Sequence, residues 1–131
     1  MGSVKLGEHK PGDLSTEDSG LASPGARTID TYLFVAVVAV HLAVLYWPRS
    51  PSTGGLPIDK VVHAAIFGMV LWAAARARLP VWPIGVLLAV HAVVSELVQH
   101  YLLAGRSGDP VDSLADLTGV VIVGLFLWRR K

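Results

Sequence analysis

The stretch SELVQHYLLAGR, residues 95–106, places Glu96, Gln99 and His100 within two helical turns, with Arg106 just beyond. In a helix, residues three and four apart are neighbours, so Glu96 shares a face with Gln99 and His100. Two other places carry comparable groups: Asp59, Lys60 and His63, and the pair Asp112 and Asp116. Three chemistries suit such a set. Lys60 and Arg106 beside acids suit a zwitterionic or phosphate-bearing head group, because the planar fork of arginine matches phosphate or carboxylate. Glu96, with His63 and Asp112 as further catalytic candidates, suits general-base action on a bound substrate. Glu96 and His100, at a spacing of four, would place two ligands on one metal, completed by His63 and Asp112 or Asp116. Against the metal stand the absence of cysteine and of an HExxH-type signature. The expectation is therefore no metal and no cofactor.

The elements that must position these residues are apolar. The chain of 131 residues is 53% hydrophobic, with a mean hydropathy of +0.55, too high for an ordinary soluble domain of this size. Four blocks hold the excess. The first has no charge from Thr31 to Trp47, and the second runs from Val61 to Ala75. The third runs from about Leu79 through Glu96 to Leu103, and the fourth is LADLTGVVIVGLFLW, followed by RRK. A bilayer core needs a helix of about 17 to 25 residues. Blocks one and three reach that length alone. Blocks two and four reach it only if Asp59–Lys60 and Asp112–Asp116 begin the helices, which puts the polar groups near an interface. Trp47, Trp72, Trp82 and Trp128 fall near block ends, as an aromatic belt requires. Pro83 is tolerated in the first turn of helix three. The fold expected is an all-α, four-helix transmembrane bundle over residues 29–131.

Residues 1–28 contain no aromatic side chain and show no helical or strand period. They read as a disordered cytoplasmic tail, because they bury too little apolar surface to offset ordering entropy. No apolar core follows a basic start, so a signal peptide is not expected. The net charge of +1 and the lack of a basic aromatic patch give no reason to expect nucleic acid.

Orientation is read from lysine and arginine. With four spans, one side holds Lys5, Lys10, Arg27, Arg76, Arg78, Arg129, Arg130 and Lys131, and the other holds Arg49, Lys60 and Arg106. Eight against three predicts a cell-membrane protein with both termini in the cytoplasm. Asp59, Lys60, His63, Glu96, Gln99, Arg106, Asp112 and Asp116 then converge on one extracytoplasmic level as a candidate ligand-binding set. Ionisable groups in membrane segments are costly, so they face a partner or a water-filled cavity. Gly119 would let another helix approach closely.

The segments DKVVHAAIFGMVLWA and ELVQHYLLAGRSGDPVDSLADLTGVVIVG resemble the VanZ-like family of small membrane proteins. The family pattern falls on Asp59, Lys60, His63 and Phe67, then Glu96 and Gln99, then Arg106, then Asp112, Asp116 and Gly119. The resemblance spans roughly residues 30–128. Asp116 stands where the family usually has Asn, a later glycine falls at Gly124, and His100 lies outside the pattern. The founding member of the family is associated with resistance to the glycopeptide teicoplanin. The resemblance thus implies an envelope-related role. Membrane lipids, a lipid-linked envelope precursor or a lipoglycopeptide would be the partners; the resemblance implies this envelope role and does not by itself show glycopeptide resistance.

Each group also has a purely structural reading. Glu96, Gln99 and Arg106 would form a network tying helix three to its loop and to helix four. Asp112 and Asp116 would be acids favoured by a helix dipole. His63 would be a core histidine bonded to a carboxylate, and His41 and His91 would be interhelical hydrogen-bonders. Three functions stay open on the residues alone: a binder of an amphipathic envelope molecule, an accessory subunit whose polar cluster only stabilises the fold, and a membrane enzyme acting on a lipid-linked substrate.

Overall fold

The computed structural model describes residues 24–47, 57–103 and 109–130. These form four helices: α1 (Pro24–Tyr46), α2 (Pro57–Arg76), α3 (Val81–Leu102) and α4 (Pro110–Trp128). There is no strand among the described residues. All four helices are long and apolar enough to cross a membrane, and the two shortest spans have 19 residues each. At about 1.5 Å per residue that length matches a hydrocarbon core of about 30 Å. The protein is an all-α, multi-pass four-helix bundle. Leu33, Val40, Leu87, Val90, Leu97, Ile122 and Phe126 are all exposed, as lipid-facing surfaces require and a soluble bundle would avoid.

Two boundaries differ from the sequence reading. Helix α1 begins at Pro24, inside the stretch read as a 28-residue tail, so residues 24–28 are helical. Residues 1–23 lie outside the described residues. Helix α4 begins at Pro110, two residues before Asp112, with Asp109 as its N-cap. Proline at the first helical position loses no hydrogen bond, and aspartate is a strong N-cap.

Helix α2 is the hub. It packs most extensively on α4, and also on α1 and α3. The core gathers Leu45, Phe67, Val70, Leu71, Leu88, Ala92 and Val120. Glycines set the α2–α4 distance. A Cβ on Gly119 would overlap the Ala64 carbonyl, and one on Gly68 would lie 2.9 Å from Val123 Cγ2 and 3.1 Å from the Gly119 carbonyl oxygen. Without a hydrophobic driving force between helices in lipid, such close backbone approach is what packing relies on.

The α2–α3 turn is tight. Arg78 adopts a left-handed conformation with φ of 58°. Its N–H donates to the Ala75 carbonyl, and that of Leu79 donates to Ala74. This is a Schellman stop, with Pro80 ending the helix for good. At the same end Arg76 holds Asp30 of α1 at 2.8 and 3.0 Å and lies over the Trp72 ring at 5.4 Å. These contacts set α2 antiparallel to both α1 and α3. The opposite end therefore collects the C-termini of α1 and α3 and the N-termini of α2 and α4.

Candidate functional site: a polar network between three helices

At that opposite end the polar side chains of α2, α3 and α4 meet. Lys60, in the first turn of α2, donates to Asp109 Oδ2 at 3.0 Å and to Asp112 Oδ1 at 2.8 Å. One turn deeper, His63 Nδ1 lies 3.1 Å from Asp116 Oδ1, and the two side chains are 6% and 0% exposed. Glu96, on α3, is buried and accepts the Asp109 backbone N–H at 2.8 Å through Oε2. The Ser113 hydroxyl of α4 donates to the Ala92 carbonyl of α3 at 3.1 Å. The network has a half-exposed mouth, formed by Lys60, Asp109 and Asp112, and a buried floor, formed by His63, Glu96 and Asp116.

The floor is not internally satisfied. Glu96 Oε1, Gln99 Nε2 and Asp116 Oδ2 are buried and have no hydrogen-bond partner among the described residues. Burying a polar group without a partner is expensive, and more so in a bilayer. Ligand atoms of His63, Glu96 and Asp116 lie within 4.8 Å of one another, and those of Asp59, His63 and Asp112 do so as well. His63 belongs to both groups. Five carboxylates, on Asp59, Glu96, Asp109, Asp112 and Asp116, stand at this end against Lys60 and His63 among the described residues.

Seven of the eight expected binding residues thus lie at one end of the bundle. Asp59 and Asp112 are half-buried, and Asp116 is fully enclosed. Arg106 lies outside the described residues. His100 is exposed and packs edge-to-face on Tyr101, so the pairing of His100 with Glu96 as two metal ligands is corrected. The spacing of four put them on one side of the helix. The bundle buries the part of that side carrying Glu96 and Gln99 and leaves His100 at its margin. Val94 is exposed and Val98 is half-buried, away from the network.

Sequence reasoning missed Asp109. It caps α4 by accepting the Val111 N–H at 2.9 Å, pairs with Lys60, and presents its own N–H to Glu96. The Val111 N–H, and then Lys60, hold its carboxyl below the usual value. The Asp-Pro dipeptide before an apolar run was the available signal. Tyr46 was missed too. His41 Nε2 and His91 Nδ1 lie 3.2 Å apart, and the Tyr46 hydroxyl meets His91 Nε2 at 3.0 Å. This second cluster joins α1 to α3 beside Phe67, whose ring meets His41 edge-on at 4.5 Å. A cavity of about 150 Å³ between α1 and α2, lined by Val37, Val40, His41, Ile66 and Met69, is apolar. It shares no residue with the carboxylate network.

Fold and site together define a multi-pass helical membrane protein with a partly buried acid–base network at one end. Comparison with known proteins finds no match: no protein-family model, no curated protein and no solved structure is detectably similar to this chain.

Proposed function

We propose that the chain is a VanZ-like protein of the cell membrane, with both termini cytoplasmic. Its polar network recognises, or acts on, the head group of an amphipathic envelope molecule at the outer leaflet. Such a molecule is a phospholipid, a lipid-linked precursor or a lipoglycopeptide. The observation that carries this reading is the layered network. Lys60, Asp109 and Asp112 form a half-exposed mouth over buried His63, Glu96 and Asp116. A head group at the mouth would leave its chains against exposed apolar helix faces. Of the lysines and arginines described, Lys60 alone lies at this end, and Arg27, Arg76, Arg78, Arg129 and Arg130 lie at the other, which supports the orientation. The family assignment rests on the motif residues alone, and any link to glycopeptide resistance rests on that assignment.

Native mass spectrometry of the purified protein with its co-purified lipids tests the proposal. The expected result is one retained lipid class, lost in Lys60→Met while the protein stays folded. A second reading, an accessory subunit with a structural network, is favoured by the way Lys60 is already engaged by two carboxylates. In that case Lys60→Met lowers the melting temperature in detergent, and no lipid class is selectively retained by the wild-type protein.

A further inference from the structure

We propose that His63, Glu96 and Asp116 form a binding site for a divalent transition-metal ion, Zn²⁺ or Mn²⁺, buried between α2, α3 and α4. The inference does not depend on head-group recognition. It starts from the two unpartnered carboxylate oxygens. Asp116 is wholly enclosed and Glu96 is 7% exposed, yet Asp116 Oδ2 and Glu96 Oε1 find no donor among the described residues. Their other oxygens are engaged, Asp116 Oδ1 with His63 and Glu96 Oε2 with the Asp109 N–H. Each carboxylate is thus anchored by one oxygen and leaves the other available. The Asp109 N–H lies outside the ligand set and orients Glu96 as hydrogen bonds to metal ligands do, whereas an ion would take the place of the His63–Asp116 hydrogen bond.

The spacing fits. One donor atom from each of the three side chains lies within 4.8 Å of the other two, so small side-chain rotations bring all three onto one ion with bonds of about 2.0–2.2 Å. Charge fits as well. Carboxylates outnumber cationic groups among the described residues here, and a divalent ion offsets that surplus where water cannot. One imidazole with two carboxylates suits a first-row transition ion better than Ca²⁺, which takes six to eight oxygen ligands, or Mg²⁺, which keeps most of its water. The mouth adds a second group of potential ligands: Asp59, His63 and Asp112 share His63 with the first.

The test uses chain without a polyhistidine tag, purified in detergent, stripped of lipid and chelator-treated. Manganese chloride is titrated while electron paramagnetic resonance follows free Mn²⁺. The expected result is loss of one equivalent of free signal per chain, reversed by Zn²⁺, with nitrogen coupling from one histidine on the bound ion. Glu96→Gln and Asp116→Asn should each weaken binding by about tenfold or more, while Asp30→Asn, at the far end, leaves it unchanged. Absence of saturable Mn²⁺ and Zn²⁺ binding by the wild-type chain at millimolar metal overturns the site. So does bound Mn²⁺ without nitrogen coupling, or undiminished binding in the Glu96→Gln, Asp116→Asn double variant. The wild-type measurements decide the matter even where a variant fails to fold. Because no lipid is present, failure here leaves head-group recognition untouched.

Discussion

His63 on α2 and Asp116 on α4 meet at 3.1 Å in the interior of the bundle, the aspartate wholly enclosed. They are 53 residues apart in sequence, and they join the two helices that pack most extensively. Asparagine in place of the aspartate preserves an acceptor for His63, whereas alanine leaves the histidine without a partner. Asp116→Ala should therefore destabilise the protein by about 1–3 kcal/mol, and Asp116→Asn by less than about 1 kcal/mol. Reversible denaturation in detergent micelles measures both. Equal losses would show that the hydrogen bond contributes nothing.

The α2–α4 contact makes a steric prediction. Gly119→Ala drives a methyl group into the Ala64 carbonyl, whereas a Cβ on Gly124 would meet only Leu71 Cδ2 at 3.9 Å. Backbone cannot move aside as a side-chain tip can, so Gly119→Ala should destabilise by at least about 1–3 kcal/mol. Gly124→Ala should leave the melting temperature near the wild-type value. Comparable melting temperatures for the two variants would contradict the close approach.

Asp109 sets a pH dependence at the start of α4. Its carboxyl lies below the ordinary value of 3.8, through the Val111 N–H first and Lys60 second. A group whose folded pKa is depressed adds stability above its unfolded pKa and loses it as pH falls through the folded one. Hydrogen exchange at the Val111 amide should thus stay slow near neutrality and, corrected for the intrinsic pH effect, speed up as the pH falls below about 4. Asp109→Asn retains an N-cap acceptor and should flatten that profile. The same profile in both proteins would exclude the charge on Asp109 as the cause.

Orientation is open to labelling. Cysteine at Ser52 should react with an impermeant thiol reagent in intact cells, and cysteine at Ala77, in the α2–α3 turn, only after permeabilisation. The opposite pattern would move the network to the cytoplasmic leaflet and end the outer-leaflet reading.

Chain-local information was enough for the helices. Runs such as VVHAAIFGMVLWAAA need no partner to declare a span, because in a bilayer every backbone group must be satisfied within its own segment. The level of the polar groups was legible for the same reason: Asp59, Glu96 and Asp112 sit at block ends, and chain direction alternates from span to span. Helix ends were less legible. The start of α1 at Pro24 was hidden by the Gly- and Ser-rich composition around it, and Asp109 was passed over because its role depends on Lys60 and Glu96, which are remote in sequence. Helical spacing grouped Glu96 with both Gln99 and His100. Only packing against α2 and α4 separated them, burying Glu96 and Gln99 and leaving His100 at the surface. The same is true of Asp116, which in sequence is one more acid near a helix start. Gly119 brings α4 against Ala64, and that approach encloses the Asp116 carboxylate beside His63 and Glu96. Which carboxylates become costly enough to require a partner is a property of the three-helix junction, because burial depends on neighbours that no single segment contains.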